Sequence, residues 1–133
     1  MRRTRIYIAG PYTKPDPIEN THRAFTYGNK LWDAGCAPFI PHLTAFWHLV
    51  TPRPYEQWLQ IDLEWLHACD AVYRFPGESS GADAEVATAH RAGIRVFFEL
   101  GALLQAFCPG HPCTRFRRKA LGDQRLSARC KSP

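Results

Sequence analysis

Short apolar runs alternate along the chain with longer stretches whose apolar residues recur at helical spacing. Arg5 to Ala9 reads as a buried first strand, closed by Gly10-Pro11-Tyr12-Thr13. Asp16-Pro17-Ile18-Glu19 marks a helix start, with a capping carboxylate, a proline at the first helical position and a glutamate at the third. That helix is predicted to run to about Ala34. Ile18, Ala24, Phe25, Leu31 and Trp32 are spaced for one buried face, and Gly35 stands where a left-handed cap belongs. Cys36 to Ile40 is short and apolar, a second strand. Pro41 to Pro54, PHLTAFWHLVTPRP, reads as a long loop rich in aromatics and histidine, of the kind that packs over something. Tyr55 to Ala68 is helical by period, with Tyr55, Trp58, Leu59, Leu63 and Leu66 toward the core. Asp62 falls on that same stripe, where a carboxylate is costly unless paired, hydrogen-bonded or functional.

The second half repeats the alternation. Ala71 to Phe75 is a strand, Pro76 to Gly93 a turn and helix, Arg95 to Phe98 a fourth strand, and Glu99 to Phe107 a last short helix. Ser80 with Asp83 fits the signature of a helix start, which makes Ser80 the expected cap and Asp83 a complement to the helix dipole. Strand and helix in alternation predict a three-layer α/β/α sandwich around a parallel sheet of four or five strands, Rossmann-like or flavodoxin-like. Ligands of such sheets bind outside the carboxyl ends of the strands. Three segments converge there: Tyr7 with Gly10-Pro11-Tyr12, His42 with the aromatic loop, and Ser79 to Glu85.

At 133 residues the chain is one domain by length. Residues 1–107 are taken as that domain, and 108–133 as a basic tail expected to be poorly ordered, with at most a short helix around Phe116 to Leu121. The net charge of +5 belongs to this tail. Residues 115–133 hold seven of the 17 Lys/Arg and one of the 12 acids, which leaves the body near neutral. No nucleic-acid partner is therefore expected. No apolar run approaches the ~20 residues of a membrane span, and the basic N-terminus reads as the first strand and not as a signal peptide. Five scattered cysteines fit reduced thiols in a cytoplasm.

Several side chains admit two readings. Tyr7 is a packed strand aromatic or a functional hydroxyl, and Asp62 caps a neighbouring helix or acts in a site. His42 and His48 either hydrogen-bond or stack on a flat ring, or simply cover the core with Phe46 and Trp47. Trp47 is the residue favoured for stacking. Cys108, His111, Cys113 and Cys130 are zinc-ligand types at irregular spacing, so no metal site is predicted. No Gly-rich dinucleotide fingerprint or P-loop occurs, and no cofactor is expected.

Taken together, IYIAGPYT, the helix bearing Asp62 before CDAVYRFPG, and SSGADAEVATAHRAGIRVFF resemble the nucleoside 2-deoxyribosyltransferase-like superfamily, over roughly residues 4–100. The match is closest to its small bacterial and phage branch. The resemblance implies cleavage of an N-glycosidic bond with retention, in a nucleoside or nucleoside 5′-monophosphate. Glu85 would attack the anomeric carbon, Tyr7 would hold Glu85, and Asp62 would donate a proton to the departing base or orient it. Gly10, Tyr12, His42, Trp47, Ser79, Ser80 and Gly81, from the segments that converge on the carboxyl edge of the sheet, are the expected substrate contacts. Ser79 stands where phosphate-recognising members place a serine against the 5′-phosphate, and the amides of Ser80 and Gly81 would help bind that anion. The glycine- and arginine-rich loop of those members is replaced by GPYTKPDP, with Lys14 as its one cation and Arg53 or Arg74 as substitutes. Self-association is expected by the same likeness, although the C-terminal carboxylate that completes the transferase site does not carry over to Lys131-Ser132-Pro133. The competing class is a non-catalytic nucleotide-binding or sensing module.

Overall fold

The computed structural model describes residues 2–110. Four strands form one parallel sheet: β1 (Arg5–Ala9), β2 (Ala37–Phe39), β3 (Ala71–Arg74) and β4 (Arg95–Phe97). Their order is β2-β1-β3-β4. The helices are α1 (Pro17–Asp33), α2 (Thr44–Val50), α3 (Tyr55–His67), α4 (Ser80–Arg91) and α5 (Leu100–Phe107). Side chains alternate across the strands, so Ile6, Ile8 and Tyr73 pack on one face with Ala24 and Leu31 of α1 and Leu103 and Leu104 of α5. Tyr7, Ala9 and Val72 pack on the other with Leu66 of α3 and Ala82 and Ala89 of α4. Both faces are covered, which is why the two central strands read as unbroken apolar runs.

Local chemistry sets the limits of the elements. The Asp16 carboxylate accepts from the Glu19 amide at 2.8 Å and caps α1. At its far end Gly35 takes φ +95°, and the amides of Gly35 and Cys36 return to the carbonyls of Trp32 and Leu31. This is a Schellman closure, and it delivers the chain directly into β2. Cys36 is buried, and its sulfur lies 3.4 Å from that of Cys108 just beyond α5. Burial pushes the Cys36 thiol up to about 12.

Four expectations need correction. The Pro41–Pro54 segment is not a loop: a 3-10 turn at Pro41–Leu43 leads into α2. Its prolines only flank TAFWHLV, whose interior holds no helix breaker, and Pro41 starts the turn. The cap of α4 is Ser79, not Ser80, for Ser79 is extended and its Oγ accepts from the Ala82 amide at 3.1 Å. The buried stripe of α1 is Asn20, Ala24, Gly28 and Leu31, while Ile18 and Trp32 are exposed. Tyr55 is also exposed and leaves Trp58 and Leu66 as the buried residues of α3.

Gly10 leaves β1 against the edge of the Phe75 ring, and a methyl group there would lie 2.0 Å from the ring carbon Cε1. Phe75 is wholly buried. Gly10→Ala is expected to destabilise the fold by about 1–3 kcal/mol, the usual cost of overpacking. Urea denaturation should show a lower midpoint with an unchanged slope.

Candidate active site

The loops that leave β1, β2 and β3 enclose a cavity of about 1130 Å³ at the carboxyl edge of the sheet. Glu85 reaches its wall from the second turn of α4 and Asp62 from the middle of α3. Tyr7 is not on the wall. It lies behind Glu85 in the sheet, fully buried, and its hydroxyl donates to Glu85 Oε1 at 2.7 Å. Burial, then the negative charges of Glu85 and Asp62, push the Tyr7 phenol well above its ordinary value and keep it a donor.

Glu85 is 8% exposed. Burial pushes its carboxyl up to about 7; the Tyr7 hydrogen bond opposes this, the Asp62 charge adds to it, and the Arg74 charge opposes it. Burial likewise pushes Asp62 up to about 7, and Asp62 Oδ1 is enclosed without a hydrogen-bond partner. Two carboxyls that titrate near neutrality thus share one cavity, and ionisation of one opposes ionisation of the other. An acid and a base can be drawn from such a pair at the same pH.

Gly10, Tyr12, His42, Ser79, Ser80 and Gly81 all line this cavity. Trp47 does not. On α2 the residues turned to the cavity are Thr44, Ala45, His48 and Leu49, and Trp47 packs edge-on against Trp58 with ring centroids 5.0 Å apart. Gly10 serves chiefly to admit the Phe75 ring. The Ser79 hydroxyl oxygen serves as the cap of α4 and keeps its O–H and one lone pair to offer a ligand. His42 is buried, and its Nε2 lies 2.9 Å from the Pro11 carbonyl. A carbonyl only accepts, so Nε2 carries the proton and Nδ1 is a bare acceptor, enclosed and unpartnered. Burial lowers the His42 pKa, with the Pro11 carbonyl acting in the opposite sense, and the ring stays neutral.

Three polar side chains that hold the rim were not singled out for this by the sequence. Asn20 donates to the carbonyls of Tyr12 and Lys14 at 3.0 and 2.8 Å and fixes the loop after β1. Arg23 donates to the Pro76 carbonyl at 2.6 Å. Arg74 is 7% exposed, and its guanidinium donates to the carbonyls of Phe75 and Gly77 and to Asp83 Oδ1. Arg74 therefore braces the turn that leads into α4, and Asp83 pairs with it besides complementing the helix dipole. Arg74 is not available as a phosphate ligand. Lys14, Arg23 and Arg53 are the Lys/Arg residues on the cavity wall. The signal for Arg74 was a charged residue inside an apolar strand run; Asn20 gave none, because it lay outside the set of residues the periodicity assigned to the core.

Among the described residues no group of three or more His, Cys, Asp or Glu side chains is arranged to hold a metal ion. The irregular Cys/His set falls, apart from Cys108, outside the described residues, as does the tail from residue 111. Among the described residues no helix is long and apolar enough to cross a membrane.

A family model described as "Domain of unknown function (DUF7768)" matches residues 4–99. No curated protein sequence matches the chain. Among solved structures, a 2-deoxyribosyltransferase from the psychrotolerant bacterium Bacillus psychrosaccharolyticus is similar, with a TM-score of 0.55 and 19% identity. The likeness covers 70% of this chain and 69% of that one. That protein is described as a biocatalyst for the synthesis of antiviral and antitumoral nucleosides. At this identity the likeness is one of fold, and it agrees with the parallel α/β sandwich.

The raised carboxyls give the fold a pH signature. An unfolded carboxylate titrates near 4, so between about pH 4 and 7 the folded chain binds more protons than the unfolded one. Stability from this source is complete below pH 4 and is lost as pH rises to about 7. Asp62→Asn carries no ionisation penalty. Relative to wild type it should gain stability as pH rises from 4 to 8, measured by urea denaturation at both values; an equal offset at both would contradict the burial of this charge.

Proposed function

The chain belongs to the DUF7768 family, a name that assigns no activity, and from the cavity we propose that it is a nucleoside or nucleoside 5′-monophosphate N-glycosidase or 2-deoxyribosyltransferase. The observation that carries this reading is the buried 2.7 Å hydrogen bond from Tyr7 to Glu85, with Asp62 on the same cavity wall. Residues 1–107 form the functional unit.

In the first step an oxygen of ionised Glu85 bonds to the anomeric carbon as the bond from that carbon to the base nitrogen breaks. The electron pair leaves with the base, which takes its proton from Asp62. The transition state has oxocarbenium character, so the carboxylate stabilises it before the new bond is complete. Tyr7 aims one Glu85 oxygen and leaves the other free to attack. In the second step water, or a second base, attacks the glycosyl ester, Asp62 accepts the proton, and Glu85 departs as a carboxylate. Two inversions give retention. The Ser79 O–H and the amides at the start of α4 face the 5′ end of the substrate, with Lys14 and Arg23 on the rim for a phosphate.

One observation favours a binding module instead: at neutral pH a carboxyl titrating near 7 is only partly ionised. Incubation with ribo- and deoxynucleosides and their 5′-monophosphates, with and without acceptor bases, separates the two. Free base should appear with wild type and fall at least 10³-fold in Glu85→Gln while ligand affinity persists. Binding without any base release would establish the module.

Catalysis needs Glu85 ionised and Asp62 protonated, and each carboxyl is pushed up to about 7. A plot of kcat/KM against pH should therefore be bell-shaped and centred near 7. Asp62→Asn should lose the alkaline limb and most of the rate with bases that need protonation to leave. A flat profile between pH 5 and 9 would remove both carboxyls from the mechanism.

A further inference from the structure

His48 lies on α2 at the exposed side of the cavity wall. Its Nδ1 accepts from the Trp58 indole N–H at 2.7 Å and from the Arg53 backbone N–H at 3.3 Å. Both partners can only donate, so Nδ1 holds a lone pair and the proton of the neutral ring sits on Nε2. Moving that proton to Nδ1 would break both hydrogen bonds. Among the described residues Nε2 has no hydrogen-bond partner, and His48 lines the cavity.

Trp58 and Asp62 are four residues apart on α3 and share its cavity side. His48 accepts from Trp58, and His48, Trp58 and Asp62 all line the one cavity. Protonated Asp62 offers an O–H, and His48 offers an N–H. A planar leaving group with one acceptor needs only the first. Two donors on one wall suit a heterocycle that presents a ring nitrogen and an exocyclic carbonyl oxygen, whereas an exocyclic amino group would set donor against donor.

We propose that His48, fixed by Trp58 as an Nε2–H donor, reads a carbonyl oxygen of the leaving base and makes the site select oxo-bearing over amino-bearing bases. The proposal rests on the base-release reading of this cavity, but its test does not need turnover. Binding of free hypoxanthine and adenine, and of uracil and cytosine, to the full chain can be followed by calorimetry. The member of each pair that carries a carbonyl where the other carries an amino group should bind about three- to tenfold tighter, the value of one neutral hydrogen bond. That preference should vanish in His48→Phe and return in part in His48→Gln, which restores an N–H at the same reach. ¹⁵N NMR of the imidazole should show the Nε2–H tautomer in wild type and a mixture in Trp58→Phe, whatever the stability of the variants. Equal binding within each pair, an unchanged preference in His48→Phe, or an Nδ1–H tautomer in wild type would overturn the proposal. If none of the four bases binds at millimolar concentration, the base-site reading falls, and the proposal with it.

Discussion

The cavity depends on keeping an ionisable carboxyl inside a wall of apolar packing. Glu85 sits where α4 meets the sheet, largely buried beside the cluster of Ala82, Ala89 and Val72. Unsatisfied, that carboxyl would be among the more expensive groups in the core. The Tyr7 hydroxyl answers one of its oxygens from β1, and the positive charge of Arg74 favours its ionised form from β3. Three elements must therefore be in register before the group can be tolerated. The parallel pairing of β1 with β3, which sets Tyr7 beside Val72, provides that register.

The same arrangement explains why the rim is built from arginine and asparagine. Loops that open a cavity cannot close their own carbonyls by pairing with a strand. Asn20 satisfies two carbonyls after β1, Arg23 one before α4, and Arg74 two beside it. Each side chain comes from a regular element, so the loops inherit its rigidity. In this way a small sheet supports an open site.

The sheet was legible because its central strands are apolar on both faces, and because Asp16, Pro17 and Gly35 punctuate α1 by mechanisms that act within a few residues. Asp62 and Glu85 were legible as acids out of place, the first on an apolar stripe and the second through the family resemblance. α2 was hidden because its aromatics and flanking prolines look like loop chemistry, and a helix that buries none of its own residues leaves no stripe to detect. The direction of Trp47 was lost with it. Ser79 and Ser80 are equivalent to a local rule, and only the extended backbone at Ser79 decides between them. Ile18 and Trp32 misled because several overlapping faces can be drawn on one helix, and the polar Asn20 hid the one that packs.

α2 also differs from the rest of the molecule in how it is held. None of its residues is buried, and Phe46, Leu49 and Val50 are exposed. It is attached through Trp47 and His48 to Trp58, through His48 to the Arg53 amide, and through its short leading turn to the sheet. Lifting it away would sacrifice little apolar contact, so its local unfolding free energy lies at the low end for this fold, far below that of the strands. Admission to the cavity and integrity of the fold are thereby separate thermodynamic quantities.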